Sequence, residues 1–166
     1  MSLSDLNKWD ESRVIDELAR CCSSRNWVHQ MIAARPFSGA AEFCSIGEKI
    51  WYELSESDWL EAFSGHPKIG DMNSLRAKFG GDHEASEKEQ SGITEASEDT
   101  LRELSRLNQV YEERHGFIFI VCATGKSALE MLDLLRDRVN CSRYEELNTA
   151  AQEQWKITKL RLEALL

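Results

Sequence analysis

Apolar residues along this chain recur mostly at intervals of three and four, the spacing that gathers side chains on one face of an α-helix. Asp10 stands ahead of Val14, Ile15, Leu18 and Cys22 and is placed to cap the helix they describe. Asn26 is the expected cap of the next, with Trp27, Met31 and Ala34 on one face. Pro36 ends it, because proline disfavours helix in the residue before it. Ser38 is expected to open a third helix carrying Phe43, Ile46, Ile50 and Leu54. Ser55 and Asp58 have the spacing of a capping box ahead of Trp59, Leu60 and Phe63. Ser97 and Thr100 lead into Leu101, Leu104, Leu107 and Tyr111, with Gly116 as the stop. Ser127 precedes Leu129, Leu132, Leu135 and Val139, and Ser142 begins a last helix through Tyr144, Leu147, Trp155 and Leu162. Two prolines and nine glycines in 166 residues leave few interruptions. The expected fold class is all-α: a single-domain multi-helix bundle over residues 1–166.

Two segments depart from the helical period. Residues 64–96 are polar and rich in Gly, Ser and Glu, and a stretch of that length without secondary structure is usually functional. Residues 117–123, FIFIVCA, read on propensity as a short extended, buried strand. A single strand has no ladder partner, so its backbone groups need satisfaction elsewhere, a ligand being one candidate.

Charge narrows the function classes. Lys and Arg number 20 against 29 Asp and Glu, a formal charge of −9. Binding nucleic acid through its phosphates wants the opposite balance, so no nucleic-acid partner is expected. No apolar run approaches the ~18 residues of a membrane span, so no membrane partner is expected either. The first ten residues lack the apolar core of a secretory signal and the last four are not a Ser-Lys-Leu address, so a cytoplasmic protein is expected. Cys21, Cys22, Cys44, Cys122 and Cys141 show no C-x-x-C spacing and read as reduced thiols.

Several chemistries are weakly signalled. ATGKS at 123–127 follows an apolar run, but a phosphate loop needs glycine where Ile120 stands. The plainer reading is a loop before a Ser-capped helix. His66, Asp71, His83 and Glu84 match no metal-ligand spacing, and no metal is expected. Cys21, Cys22 and Cys122 suit core packing better than nucleophilic catalysis. HPKIG at 66–70 and SEKEQSG at 86–92 together look like a pocket wall. Imidazole titrates near neutrality and suits proton transfer, and a nearby carboxylate can orient it.

Six motifs in order are more specific: RPFS at 35–38, HPKIGD at 66–71, SEKEQSG at 86–92, LNQVY at 107–111, GFIFI at 116–120 and KITKLRL at 156–162. Over residues 8–166 they closely resemble the decarboxylases of urate breakdown that act on 2-oxo-4-hydroxy-4-carboxy-5-ureidoimidazoline (OHCU). The resemblance implies an all-α homodimer with no cofactor, releasing CO2 from OHCU to give (S)-allantoin. It implies His66 as the catalytic proton donor and Pro67 as a substrate contact. The substrate-binding turn is Ser86, Glu87, Lys88, Glu89 and Gln90, with Glu89 also catalytic. The second binding segment is Phe119, Ile120, Val121, Cys122 and Ala123. Arg161 matches the arginine of the closing motif. Gly125-Lys126 departs from the more variable animal sequences, and Lys68-Ile69 is the form associated with bacterial members.

The chemistry such a substrate requires agrees with these residues. OHCU carries its own electron sink, a ring C=N beside the carbon bearing hydroxyl and carboxylate, so no pyridoxal, thiamin or metal is needed. A histidine near neutrality can manage the hydroxyl proton and return one to carbon. Gln90 offers a donor and an acceptor to a ureido group. The backbone of residues 119–123 can pair with ring and ureido amides. Glu89 either raises the ground-state energy beside the substrate carboxylate or orients His66. The alternatives are a ligand-binding helical adaptor and a hydrolase of a related ureido compound.

Overall fold

A computed structural model describes residues 3–68, 70–79 and 97–166. Its elements are α1 (Leu3–Lys8), α2 (Glu11–Cys21), α3 (Arg25–Ala33), α4 (Ala40–Glu53), α5 (Glu56–Ser64), α6 (Met72–Phe79), α7 (Glu98–His115), α8 (Ala128–Val139) and α9 (Arg143–Leu165). Among the described residues the fold is all-helical, and no helix is long and apolar enough to cross a membrane.

Most predicted starts are where the polar residues place them. The Asp10 side chain accepts from the Arg13 amide, Ser97 from Thr100, and Ser55 and Ser127 form capping boxes with Asp58 and Glu130. Gly116 ends α7 at φ 78°, a left-handed conformation in which a side chain would be strained. Two starts differ from expectation. Ser24, not Asn26, caps α3, because its buried hydroxyl reaches the Trp27 amide; Asn26 lies inside the helix and donates to Asp58. Gly39 rather than Ser38 precedes α4, and Ser38 bonds back to the Glu42 carboxylate from one residue further out.

Two helices are additional to the pattern. α1 is six residues long, too short to show a period, and is fastened by Arg35, which donates to the carbonyls of Leu6 and Trp9. α6 lies inside the polar stretch read as irregular, started by Asp71, whose carboxylate accepts from Ser74. Residues 118–123 are neither helix nor strand. Phe117 and Ile120 are buried and residues 121–123 half-buried, so the strand expected on propensity does not form. Cys21 and Cys22 are core residues as expected, whereas Cys122 is half-buried.

The chain forms two compact units. One holds α1–α5, residues 120–122 and α9 from Leu147 onward. Its core is built on Trp27, Trp51, Phe43, Phe63, Trp155 and Leu162. Gly47 lets the tryptophans close on α4: a Cβ there would sit 3.3 Å from both Trp27 and Trp155. The indoles are bonded as well as buried, Trp27 donating to Gly47 O and Trp51 to Ala151 O. These tryptophans are therefore consumed within their own chain.

The other unit holds α6–α8, residues 117–119 and 123–127 between α7 and α8, and the first turn of α9. Leu101, Leu104 and Leu107 of α7 and Leu132, Leu135 and Val139 of α8 are buried. At its end Tyr111 donates to Glu146 at 2.5 Å, and Arg138 donates to the same carboxylate at 2.9 Å. Burial, then the Glu146 bond, raise the Tyr111 phenol well above its usual range, so it stays a donor.

Candidate active site

His66 sits in the turn closing α5. Buried Ala62 and Phe63 hold the last turn of that helix, and the amides of Gly65 and His66 bond to their carbonyls. Gly65 is required by close approach, since a Cβ there would meet the Ser23 Oγ at 2.0 Å and its Cβ at 2.4 Å. The loop between α2 and α3 thus presses directly on the residue before the histidine.

The imidazole is half-buried and bonded through Nε2 to Gln154 Oε1 at 2.5 Å. Gln154 Nε2 donates to Thr158 Oγ1 at 3.1 Å, and both α9 side chains are completely buried. Burial disfavours the imidazolium and holds the His66 pKa below its usual 6.5. The bond to Gln154 works in the opposite sense, and the Arg161 charge adds to the lowering. The resting side chain is a neutral imidazole at pH 7, with one nitrogen committed to the carboxamide.

Arg161 lies two turns further along α9. Its guanidinium donates to the carbonyls of Arg20 and Cys21, the last of α2, where a cation is favoured by the helix dipole. Beneath it, burial pushes the Cys21 thiol up to about 11 and the Cys22 thiol up to about 12. Both stay protonated, which removes them as nucleophiles.

The second predicted segment is fixed from α9 too. The Cys122 amide donates to Glu153 Oε2 at 2.7 Å, and Lys156 pairs with the same carboxylate. That amide is satisfied by protein, so the substrate pairing expected of this backbone does not extend to the Cys122 N–H. Phe119 belongs to the other unit, where Tyr111 packs edge-on against its ring and the Arg138 guanidinium lies 4.6 Å from its centre.

His66, Ile120, Val121, Cys122 and Arg161 therefore fall in one compact unit, organised by α9. Pro67, Phe119 and Ala123 fall in the other, Pro67 exposed. Ser86, Glu87, Lys88, Glu89 and Gln90 lie outside the described residues, as do His83 and Glu84. Gln154 and Glu153 were not singled out from the sequence. The available signal was a glutamine and a threonine one turn apart on a helix face otherwise filled by Ala150, Ala151, Trp155 and Leu162.

A cavity of about 480 Å³ opens beside Lys68, Asp71, Glu112 and Glu113. Its lysine is paired with Glu112. The remaining carboxylates repel an anion, so it is unsuited to an acidic substrate.

The geometry can be set beside known proteins. A family model described as OHCU decarboxylase matches residues 7–163. The uric acid degradation bifunctional protein of Arabidopsis thaliana is 36% identical over 151 residues, 90% of this chain, which spans 46% of that protein's length. The 2-oxo-4-hydroxy-4-carboxy-5-ureidoimidazoline decarboxylase of Haloferax volcanii is 26% identical, covering 98% of this chain and 94% of its own. A crystal structure of OHCU decarboxylase in the presence of (S)-allantoin superposes with a TM-score of 0.73 at 36% identity, covering 90% of this chain and 96% of the other. With a half-buried histidine on the HPKIGD motif and a family match over nearly its whole length, the chain belongs to the OHCU decarboxylase family.

Proposed function

We propose that this chain, as one domain over residues 1–166, decarboxylates OHCU to (S)-allantoin and CO2 without a cofactor. The observation that carries the reading is the neutral, half-buried imidazole of His66, oriented by a buried carboxamide, in a chain of this family. In the reaction the C–C bond to the carboxylate breaks and its electron pair enters the ring. The conjugated C=N takes up a pair at nitrogen, which is protonated. The hydroxyl becomes a carbonyl by losing its proton, and the adjacent ring carbon gains one. Neutral His66 accepts the hydroxyl proton and, as imidazolium, returns a proton to one face of that carbon.

Pro67 contacts the substrate, the backbone of residues 119–123 (the Cys122 N–H aside) pairs with its ring and ureido amides, and the turn of Ser86, Glu87, Lys88 and Gln90 binds it, with Gln90 at the ureido group. With Gln154 already on the histidine, Glu89 is assigned to the substrate side. Arg161 caps α2 through one nitrogen, and its remaining N–H groups suit the substrate carboxylate. We assign the protein to the cytoplasm and to a homodimer. The exposed apolar side chains of Leu129 and Tyr144 support pairing.

The test is to supply urate, urate oxidase and hydroxyisourate hydrolase and follow optical activity with and without this protein. Faster appearance of (S)-allantoin is expected. Urea or ammonia instead of CO2 would establish a hydrolase, and an unchanged rate would leave only a ligand-binding adaptor.

A further inference from the structure

We propose that Gln154 is a positioning residue, holding His66 in the tautomer protonated at Nε2 so that Nδ1 is the nitrogen that exchanges protons with substrate. The inference rests on the reading of His66 as the proton-transfer group.

The argument is geometric. The Gln154 atom facing Nε2 is its carbonyl oxygen, which only accepts, so Nε2 is the nitrogen that carries the hydrogen. In the same orientation Gln154 Nε2 donates to the Thr158 hydroxyl oxygen at 3.1 Å. Gln154 and Thr158 are both at 0% exposure, so water does not compete for either bond. Leaving one of these groups unpaired would cost its full desolvation. The carboxamide is thus locked from behind, and it locks the ring in front. A histidine whose second nitrogen is held by a fixed acceptor has one defined working nitrogen and one defined ring plane.

Glutamine suits this place better than a carboxylate. Its bond favours the imidazolium only modestly, without a carboxylate's charge, so burial and Arg161 keep the ring neutral and ready to take a proton. The titratable and charged groups on the neighbouring elements agree. Arg161, on the same helix, disfavours the imidazolium. From α2 comes the Cys22 thiol, which bonds Thr158 and stays protonated. On α5, Glu61 is taken by Arg25 and Asp58 by Ser55 and Asn26.

The test reads tautomer and kinetics separately. In the ¹⁵N-labelled protein the His66 ring nitrogens are expected to report predominantly Nε2–H, a measurement that needs no variant. In Gln154→Met, which keeps the volume without the acceptor, the excess of that tautomer should disappear. kcat should fall at least about tenfold with KM altered less than about threefold, short of the ~10²–10⁴-fold loss for removing an acid–base group. Gln154→Glu restores an acceptor but favours the imidazolium, so the acid limb of the pH–rate profile should move to higher pH. A dominant Nδ1–H tautomer in the unaltered protein, or wild-type kcat and pH profile in Gln154→Met, would overturn the inference. His66→Asn separates that failure from a failure of the underlying reading. If it loses turnover while Gln154→Met does not, only the role of Gln154 falls. If it keeps turnover, the histidine assignment falls and the inference with it.

Discussion

His66 draws its chemistry from its surroundings rather than from its own ring. Burial and the nearby Arg161 depress its pKa, while the bond to Gln154 offsets part of that effect. His66→Asn is expected to lower turnover by about 10²–10⁴-fold while far-ultraviolet circular dichroism stays helical. Because the working form starts neutral, kcat/KM should fall on the acid side with a midpoint below 6.5. A limb centred above that value would contradict the burial argument. Stability follows the same sign. Between the depressed folded pKa and the ordinary unfolded one, the unfolded chain binds the proton more tightly, so folding weakens as pH falls through that window. His115, which burial also shifts downward, adds in the same direction. The sequence marks His66 through its HPKIGD setting, but nothing in the sequence indicates that its nearest polar partner is 88 residues away.

Elements were legible where their ends are locally encoded. Asp10, Ser55, Ser97 and Ser127 cap helices through bonds spanning three residues, and such bonds are visible in sequence spacing. α1 is held by Arg35 from another part of the chain, and no local pattern announces that. Gly65 is the same lesson at one position. Its φ of −75° is ordinary, so glycine is required by Ser23 and not by the backbone. Gly65→Ala should destabilise the fold by about 1–3 kcal/mol through overpacking. It should also reduce turnover, because the displaced turn carries His66. Denaturant melts beside kcat measurements check both, and unchanged values would show that Ser23 yields at no cost.

For the whole molecule, the formal charge of −9 and the buried tryptophans have different consequences. The charge suits a small-molecule reading over nucleic acid. Trp27, Trp51 and Trp155 stabilise the chain's own core and carry no argument for a second subunit. The argument passes to the exposed Tyr144 and Leu129, 77% and 57% accessible. Light scattering at micromolar concentration is expected to give twice the 19.0 kDa chain mass, and Leu129→Glu with Tyr144→Glu to lower it. A monomeric mass for the unaltered protein would refute the dimer.

What the sequence by itself determined is the helical class, most helix starts and the family, because periodicity, caps and ordered motifs are local or simply additive along the chain. Tertiary structure alone decided which groups hold the chemistry in place. Glu153 secures the Cys122 amide and Gln154 the His66 ring, and both sit on a helix distant in sequence from their partners. A buried glutamine reads like any polar helix residue until packing removes its water. Only then must each of its hydrogen bonds go to a specific protein partner, and only the folded chain says which.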